Sequence, residues 1–491
     1  MRKETVRDAR SIADPKLSAD RSVPLFVDLD GTLIKTDLLI ESALFLLREK
    51  PWMLFALPYW LAFGKARLKE ELAKRSQLDF SVLPLHGDFA EFLRGETRDG
   101  RILCLATASD LQLAEPIAKR LGIFEHVLAS DGQRNLKGKH KLEAILTCCN
   151  DSAFDYAGNA RADLAIWAKA RRVLIVNPDF GVTASARKRG FELERIFDDR
   201  PPLAKTWIRA LRIHQWAKNA LLGVPILTAH EFHFAALAQT STAFLCFGLI
   251  ASACYLLNDL LDLESDRQHP RKCKRPLAAG DIGLPAGIMA MVILYTTGFG
   301  LAHWVSDSFV LTLLAYIGVT IGYSFYFKRV VLVDVLLLAS LYTIRIVAGA
   351  FAIRVLLSSW LLAFSMFVFL SLALVKRCAE LNAMKRLSRT RISGRDYRVS
   401  DYSILSAMGI AAGYLSILVL ALFINSPAGL DEYSNPILLW LLCPLLAYWI
   451  SRLWLKTSRG EMHDDPLIFS LNDRTSWIVF ILMLAITLLS I

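Results

Sequence analysis

The chain has 491 residues, of which 54% are hydrophobic, and a formal net charge of +11 at pH 7. Soluble globular proteins are about 45–50% apolar, so this excess excludes a chain that is soluble throughout. The positive charge alone would suit a nucleic-acid-binding protein. The basic residues cluster between apolar runs, however, where they orient a membrane protein, so we expect no nucleic-acid partner.

The composition divides the chain into a soluble domain at residues 1–200 and a membrane domain at residues 205–491. In the soluble domain, short apolar runs at 24–29, 101–106 and 172–176 predict buried strands. Helical stretches separate these runs. Strands that alternate with helices predict a parallel sheet covered by helices, which is an α/β fold.

The first predicted strand is followed by the sequence D-L-D-G-T at 28–32. This run resembles the first motif of the haloacid dehalogenase (HAD) phosphohydrolases. Further matching residues follow in order: Thr107, Lys141 and a G-N-x-x-x-D run at 158–163. The resemblance implies a Rossmannoid HAD-like domain with a helical cap inserted at about 38–100. Much of that insertion is apolar, which suits either a surface that meets lipid or the buried core of the cap.

The HAD resemblance implies a role for each matching residue. Asp28 is expected to be the nucleophile that forms an aspartyl-phosphate, and Asp30 the general acid and base. Thr107 would hydrogen-bond the phosphoryl oxygens, and Lys141 would offset charge on the intermediate, with Lys139 as the alternative for that role. Mg²⁺ is expected to be held by Asp28, Asp30 through its backbone carbonyl, Asn159 and Asp163.

Asn159 stands where the family usually has Asp, which removes one negative charge but keeps an oxygen ligand. An inactive HAD-like scaffold is the alternative, because a fold alone does not establish a function.

In the membrane domain we count nine apolar runs near the roughly 20 residues that a spanning helix needs. They are 217–231, 236–257, 284–303, 308–326, 331–353, 357–375, 403–425, 435–455 and 474–491. Loops rich in Lys and Arg alternate with loops that carry few of them, and every basic loop falls on the side of the soluble domain. The positive-inside rule therefore predicts the inner membrane, with the soluble domain in the cytoplasm and the C-terminus outside.

The acidic stretch, residues 258–266, begins where the second apolar run ends. Four oxygen-bearing side chains in it are three or four residues apart, so a helix would place them on one face: Asn258, Asp259, Asp262 and Asp266. Membrane helices rarely carry several carboxylates unless these bind something, and clustered oxygens suit Mg²⁺ with substrate phosphates. Cations follow, among them Lys272 and Arg275, so the stretch predicts a site for a Mg²⁺–diphosphate substrate.

The same stretch reads N-D-x-x-D-x-x-x-D-R-x-H-P and is followed by R-P-L-A-A-G. This pattern resembles the first Asp-rich motif of the UbiA prenyltransferase superfamily. The resemblance covers residues 205–491 and implies an all-α polytopic domain of about nine transmembrane helices. It also implies that Mg²⁺ handles a diphosphate at the cytoplasmic mouth of this domain.

At 376–381 the sequence K-R-C-A-E-L replaces the second Asp-rich motif usual in aromatic prenyltransferases. It is similar to the branch that transfers phosphoribose from phosphoribosyl pyrophosphate to a polyprenyl phosphate. Lys376 and Arg377 could then receive the lipid phosphate. Arg345 lies within a span, where a charge is usually functional. The other substrate-binding candidates are Lys218, Asn219, Lys272, Arg275, Lys328 and Glu380.

Basic residues that flank spans also anchor a membrane protein in its orientation, and for Lys328, Lys376 and Arg377 this alternative stays open.

The two domains together predict two reactions in sequence. The membrane domain would make a polyprenyl-phosphoryl-5-phosphoribose, and the HAD-like domain would remove the 5-phosphate. The leading alternative is a UbiA-type aromatic prenyltransferase that joins a polyprenyl diphosphate to a hydroxybenzoate or quinone precursor. The second alternative is a membrane scaffold with an inactive HAD-like domain. The sequence fixes neither the lipid length nor the oligomeric state.

Overall fold

The computed structural model describes three stretches of the chain: 23–386, 395–462 and 465–491. The residues up to Ala210 together with Asp259–Met289 form one compact unit, and Leu211–Asn258 together with Ala290–Ile491 form a second. The predicted division at 200–205 lies near the first of these boundaries. Both the acidic stretch, except for Asn258, and the loop after it, which the sequence assigned to the membrane domain, belong to the first unit.

Two predictions fall partly outside the described residues. They concern residues 1–22 of the soluble domain and residues 387–394 of the basic loop after the sixth predicted span.

A six-stranded parallel sheet, with the strand order β3-β2-β1-β4-β5-β6, forms the first unit. The strands are β1 (Leu25–Val27), β2 (Leu103–Asp110), β3 (His126–Ser130), β4 (Asp155–Gly158), β5 (Val173–Val176) and β6 (Leu193–Phe197). β1 is central, because Leu25 pairs with Leu103 of β2 and with Asp155 of β4. The predicted parallel α/β sheet is thereby confirmed.

The described residues form 22 α-helices. Those up to the end of the soluble part are α1 (Leu38–Glu49), α2 (Leu57–Ala62), α3 (Lys65–Arg75), α4 (Gly87–Arg98), α5 (Leu111–Leu121), α6 (Lys139–Cys148), α7 (Leu164–Trp167), α8 (Val182–Lys188) and α9 (Leu203–Ala210). The later ones are α10 (Val224–Thr228), α11 (Phe234–Leu261), α12 (Leu263–Gln268), α13 (Leu284–His303), α14 (Asp307–Phe325), α15 (Val333–Ile353), α16 (Ser359–Arg386), α17 (Tyr402–Ile424), α18 (Pro427–Glu432), α19 (Pro436–Leu439), α20 (Leu442–Ser458), α21 (Pro466–Asn472) and α22 (Arg474–Ser490).

The two faces of the sheet pack against different helices because alternate residues of a strand point to opposite faces. Leu25 and Val27 of β1 join Phe89 of α4 in one buried cluster. Phe26 joins Trp167 of α7 in another. α4, at the C-terminal end of the insertion predicted at 38–100, therefore packs against the sheet.

The cap proper is formed by α1, α2 and α3 with the 3₁₀ helix Pro51–Ala56. It has a small hydrophobic cluster of its own, in which Leu46, Trp60 and Leu72 are buried. α1 begins at Asp37, whose side chain accepts a hydrogen bond from the N–H of Ile40. This N-cap hydrogen bond of Asp37 fixes the start of α1 shortly after the D-L-D-G-T run.

Seven helices of the described chain are long and apolar enough to cross a membrane, or eight if α21 and α22, bent by 88°, form one span. The predicted polytopic helical domain is confirmed, but a count of nine is not. The difference arises at 217–231, which forms the 3₁₀ helix Ile213–Gly223 and the five-residue α10. This run is shorter than the roughly 20 residues that an α-helical span requires.

α16 is held tightly against its neighbours in the second unit. Gly409 of α17 has no room for a side chain, because an added Cβ would lie 2.2 Å from the Trp454 ring. The Trp454 indole donates a hydrogen bond of 3.1 Å to Ser371 Oγ, which donates one of 2.7 Å to the carbonyl of Gly409. Small residues and buried hydroxyls are the usual means of close helix packing in membranes. They fix the helix that carries Lys376 and Arg377.

Candidate functional site

In the first unit, the candidate phosphatase residues lie at the carboxyl edge of the sheet. Val27 of β1 pairs with Leu105 of β2 and with Ala157 of β4. Asp28 directly follows Val27, and Thr107 is two residues beyond Leu105. The carboxyl ends of neighbouring parallel strands meet at one edge, where open α/β sheets bind their ligands.

Lys141 of α6 reaches this edge. Its Nζ lies 2.8 Å from Asp28 Oδ1 and donates a hydrogen bond of 3.0 Å to the Tyr156 hydroxyl. The Lys141 side chain is buried, whereas Lys139 is exposed to solvent. The geometry therefore favours Lys141 over Lys139 as the cation beside Asp28.

The two carboxylates of the D-L-D-G-T run differ in their surroundings. Burial raises the pKa of Asp28 to about 6, and Lys141 opposes that rise. Burial and the negative charge of Asp37 raise the pKa of Asp30 to about 7. Asp30 accepts hydrogen bonds from Ser109 Oγ at 2.5 Å and from the N–H of Leu38 at 2.9 Å. Near neutral pH the first carboxylate is the more ionised, which suits a nucleophile beside a general acid.

Asp163 shapes the loop that follows β4. Its Oδ1 accepts a hydrogen bond of 3.0 Å from Tyr156, and its Oδ2 accepts from the N–H groups of Asn159 and Ala160 at 3.1 and 2.9 Å. Asn159 Oδ1 in turn accepts a weak hydrogen bond of 3.3 Å from Thr32 Oγ1. Asn159 thus faces the catalytic loop, and Asp163 holds it there.

The oxygen donors at this edge fit Mg²⁺ by their chemistry, since hard divalent cations prefer carboxylate and amide oxygens. In the described part of the chain, no three His, Cys, Asp or Glu side chains converge as a ready-made metal site. A metal bound beside Asp28 would therefore draw on the amide oxygen of Asn159 or on backbone carbonyls, such as that of Asp30, in addition to carboxylates.

A second lysine, which the sequence did not single out, reaches the same edge from the cap. Lys69 of α3 donates hydrogen bonds to the carbonyl of Ala108 at 2.5 Å and to Asn135 Oδ1 at 3.0 Å. Burial lowers the pKa of Lys69. Its position in a run of mixed charges, K-A-R-L-K-E-E, gives no signal that separates it from the solvent-exposed cations beside it.

The acidic stretch is not one continuous helix. α11 ends at Leu261 and α12 begins at Leu263, so Asp262 interrupts them. Asp259 and Asp266 are 3% and 1% exposed, whereas Asn258 and Asp262 are only partly buried. Of the four predicted ligands, the structure therefore buries two.

Arg275 bridges the two buried carboxylates. Its Nη1 lies 3.0 Å from Asp259 Oδ1 and 2.6 Å from Asp266 Oδ2. Lys272 Nζ is 3.7 Å from the other oxygen of Asp266, which is buried and has no hydrogen-bond partner among the described residues. A buried carboxylate oxygen without a donor is costly and marks a place for a cation. The oxygen donors are of the kind that Mg²⁺ prefers, but no three carboxylates of the described stretch converge, and Arg275 pairs with two of them in this structure.

In the second unit, Lys218 and Lys376 meet at one carboxylate. Lys218 Nζ lies 2.8 Å and Lys376 Nζ 3.2 Å from Asp465 Oδ2. The Tyr342 hydroxyl donates to the same carboxylate at 2.9 Å. Asp465 was not among the predicted site residues, although its position directly before Pro466, at the start of α21, is a helix N-cap signal.

Arg377, which the sequence predicted to receive the lipid phosphate, is paired with carboxylates of the chain itself. It is fully buried and forms an ion pair of 2.5 Å with Asp334 and another with Glu380, one helical turn away. Glu380 Oε2 is also 2.6 Å from Arg395. Spacing of three residues on α16 brings Arg377 and Glu380 together. In this structure Arg377 therefore meets carboxylates, and Glu380 is held by two arginines.

Arg345 is buried within α15 among neutral groups. It donates hydrogen bonds to Asn219 Oδ1 at 3.2 Å and to the Tyr316 hydroxyl at 3.3 Å, and it lies 5.0 Å from the ring centre of Phe247. Asn219 Nδ2 is buried without a hydrogen-bond partner among the described residues. A buried guanidinium beside an unused amide donor can accept an anion. Lys328 lies half-buried in the 3₁₀ turn Phe327–Arg329, apart from these contacts.

The haloacid dehalogenase-like hydrolase family matches residues 25–153, and the UbiA prenyltransferase family matches residues 220–489. The chain belongs to the UbiA prenyltransferase family. Together with its apolar helices, this makes it an integral membrane protein. Both resemblances read from the sequence are thereby confirmed, and a UbiA domain fused to a HAD-like domain indicates an enzyme.

Three relatives of this UbiA protein differ in how much of it they match. The chain is 38% identical to the uncharacterized protein y4nM of Sinorhizobium fredii, over 94% of this chain and 89% of that protein. It is 34% identical to nodulation protein NoeC of Azorhizobium caulinodans, over 58% of this chain and 92% of that protein. It is also 34% identical to decaprenyl-phosphate phosphoribosyltransferase of Mycobacterium tuberculosis, over 36% of this chain and 61% of that enzyme, which is less than two thirds of its length.

Proposed function

We propose that the membrane domain transfers 5-phosphoribose from phosphoribosyl pyrophosphate to a polyprenyl phosphate. The observation that carries the proposal is that Lys218 and Lys376 both lie beside Asp465. Lys376 begins the run 376–381, where an aromatic prenyltransferase would have its second acidic motif. A lipid monophosphate needs cations rather than carboxylates. Similarity to a decaprenyl-phosphate phosphoribosyltransferase supports the same substrates.

The chain's own residues would bind and orient the two substrates. Lys218 and Lys376 would exchange Asp465 for the lipid phosphate, and Arg345 with Asn219 offers a further anion-binding pair. The lipid phosphate oxygen, already anionic, forms the new bond to C1 of the ribose as the bond from C1 to the diphosphate breaks. Such a nucleophile needs little help from a base, so catalysis is mainly positioning and electrostatics.

Mg²⁺ would be held by Asn258, Asp259, Asp262 and Asp266, and when bound it neutralises charge on the departing diphosphate. Lys272 and Arg275, whose side chains face Asp266 in this structure, would bind the oxygens of the leaving diphosphate.

The HAD-like domain would then remove the 5-phosphate. Asp28 attacks phosphorus, the bond from phosphorus to the ribose oxygen breaks, and Asp30 gives its proton to that oxygen. Asp30 afterwards takes a proton from the water that hydrolyses the aspartyl-phosphate. Lys141 offsets charge on the intermediate, and Thr107 donates to its oxygens. Asp28, Asn159, Asp163 and the Asp30 carbonyl would hold Mg²⁺ there.

We also infer nine crossings of the inner membrane. Residues up to Ala210 and Asp259–Met289 share one compact unit; if both parts lie on one side of the membrane, the chain between them crosses it an even number of times. α11 supplies one crossing. The 11-residue 3₁₀ helix and the five-residue α10 reach about 30 Å when collinear, at about 2.0 and 1.5 Å per residue, which matches the hydrocarbon thickness. Basic loops on the side of the first unit then put that unit in the cytoplasm and the C-terminus outside.

The test combines purified full-length protein, labelled phosphoribosyl pyrophosphate and a polyprenyl phosphate, with and without Mg²⁺. We expect lipid-extractable label only with Mg²⁺, dephosphorylated with the unchanged protein and phosphorylated with Asp28→Asn. Asp88→Asn, at an exposed position on α4, is the matched control and should behave as the unchanged protein. The proposal is wrong if no label reaches the lipid, or if the protein instead transfers geranyl groups from geranyl diphosphate to a hydroxybenzoate.

A further inference from the structure

An unusual apolar surface lies on the cap of the HAD-like domain. Trp52, Phe55, Tyr59 and Phe63, here named the aromatic patch, are between 64% and 87% exposed although they lie within 12 residues. Elsewhere in residues 23–202, exposed bulky apolar side chains occur singly, at Ile102, Leu111, Phe180 and Ile196. Concentrated exposed apolar surface of this kind marks an interaction site.

The aromatic patch is built on a defined backbone. Between its members Trp60 points inward, is buried in a cluster with Leu46 and Leu72, and carries the Arg75 guanidinium 4.8 Å from its ring centre. The patch residues therefore face outward because Trp60 anchors the opposite side of α2. Pro51 begins the 3₁₀ helix and Pro58 lies in the first turn of α2, which restricts the backbone further.

We propose that the aromatic patch inserts into the boundary between headgroups and hydrocarbon of the same bilayer that the helices of this chain cross. Trp and Tyr are the side chains enriched at that boundary, since their rings are apolar and their N–H or O–H groups stay hydrated. The spanning helices keep the cap close to a bilayer, so insertion costs little additional ordering.

Charge around the patch agrees with a lipid surface. Of the cations nearest to the patch, Arg67 is paired with Glu70 and Glu71, and Lys69 turns to the Ala108 carbonyl. Lys50 and Lys65 are exposed at the two ends of the patch. Cations at such positions attract anionic headgroups by about 1 kcal/mol each. A second copy of the chain would bring its own Lys50 and Lys65 against these two charges, which disfavours a self-paired patch.

Insertion also bears on the substrate, and this step rests on the proposed function. α3 follows the aromatic patch in the chain, and its Lys69 reaches the carbonyl of Ala108 beside Thr107. A cap lying in the interface would let the phosphatase site act on a phosphorylated lipid head while the polyprenyl chain stays in the bilayer. The substrate class is then a membrane-embedded phosphomonoester.

Photocrosslinking tests the insertion without any activity. Full-length protein with p-benzoylphenylalanine in place of Phe55 or Phe63 is placed in nanodiscs of labelled phosphatidylcholine and phosphatidylglycerol and irradiated. The matched control carries the same group at Phe180, which is 96% exposed and isolated. We expect lipid label on the protein roughly tenfold above the Phe180 control. Labelling equal to that control, or a protein–protein crosslink in its place, overturns the proposal.

Kinetics separate this inference from the proposed function. In the double variant Phe55→Ser/Phe63→Ser, hydrolysis of water-soluble p-nitrophenyl phosphate should be unchanged, while KM for a phosphorylated polyprenyl lipid in vesicles rises about tenfold. An unchanged KM overturns the role in substrate access. Strong lipid crosslinking with no hydrolysis of any phosphorylated lipid supports the insertion and contradicts the proposed function.

Discussion

Arg267 and Glu41 form a buried ion pair in which each side chain is only 5% exposed. Arg267 directly follows the acidic stretch, and Glu41 lies in the first turn of the cap helix α1. Arg267 Nη2 is 2.5 Å from Glu41 Oε1, and the same oxygen accepts a hydrogen bond of 2.5 Å from Thr36 Oγ1. The Thr36 carbonyl accepts in turn from the N–H of Gly31, which directly follows Asp30. One bonded path therefore joins the loop after the acidic stretch to the D-L-D-G-T run.

Removing one partner of this pair should destabilise the first unit. Arg267→Met leaves Glu41 buried without its cation, and we expect a loss of about 3 kcal/mol in the free energy of unfolding. The double variant Glu41→Met/Arg267→Met should lose less than the sum of the two single variants, because no charge is left unpaired. Thermal unfolding in detergent measures both. Lys119→Met, which breaks the exposed pair with Glu115, is the control and should lose under about 1 kcal/mol. Equal stability of Arg267→Met and the unchanged protein would contradict the path.

Lys141 and Lys139 offer a matched comparison within one helix. Lys141→Met should lower kcat for phosphate-ester hydrolysis by about 10²–10³, since it removes the cation beside the nucleophile. It should also move the acidic limb of the pH–rate profile to higher pH, because Lys141 holds the pKa of Asp28 down against burial. Lys139→Met should leave both unchanged. If Lys139→Met instead gave the large loss, the assignment from the 2.8 Å contact would be wrong.

Lys376 can be tested against Lys385, an exposed residue nine positions later on the same helix. Lys376→Met should raise KM for the polyprenyl phosphate by roughly 10- to 100-fold, the value of a charge-assisted hydrogen bond of about 1.5–3 kcal/mol. Lys385→Met should not change KM. Steady-state kinetics at saturating phosphoribosyl pyrophosphate give the comparison. A normal KM combined with poor membrane insertion of Lys376→Met would mean that this lysine only anchors the helix.

His86 gives the first unit a pH dependence of stability. It is buried beside Asn177, with Asp199 Oδ1 at 3.3 Å, and burial lowers its pKa to about 4. In the unfolded chain its pKa is about 6.5, so between these values the unfolded state binds more protons. The free energy of unfolding is therefore highest above about pH 6.5. It falls as the pH drops towards 4, and the loss from His86 is about 2 kcal/mol at pH 5.

The measurement is the unfolding midpoint of the full-length protein at pH 7 and pH 5. His86→Asn should start lower at pH 7 but fall less on acidification, since the titrating group is absent. An equal fall in both proteins would show that His86 does not titrate between its two pKa values.

Three inner strands of the sheet could be predicted because they are apolar on both faces. β1, β2 and β5 lie inside the sheet and read as continuous apolar runs. β3 and β6 escaped prediction because they form the edges, where His126 and Arg195 are exposed and break the apolar pattern. The 3₁₀ helix at Ile213–Gly223 was not predicted either, because an apolar run does not reveal whether its helix is an α-helix or a 3₁₀ helix.

The candidate site was predictable in its residue types but not in its pairings. Sequence spacing placed acids and bases near Asn258–Gly280, yet it could not tell that Arg275 would bridge Asp259 and Asp266. Likewise, only the folded chain brings Asp465 to Lys218, which is 247 positions away. Lys141 is buried and Lys139 is exposed because of tertiary packing, which the local sequence does not reveal.

Arg275 occupies the place between Asp259 and Asp266 that a divalent ion would take. In the proposed reaction, a divalent ion would have to displace a guanidinium whose single positive charge lies between two carboxylates. A diphosphate that arrived with the ion would offer the displaced arginine a new anionic partner, so we expect the metal and the diphosphate donor to bind together more readily than the metal alone.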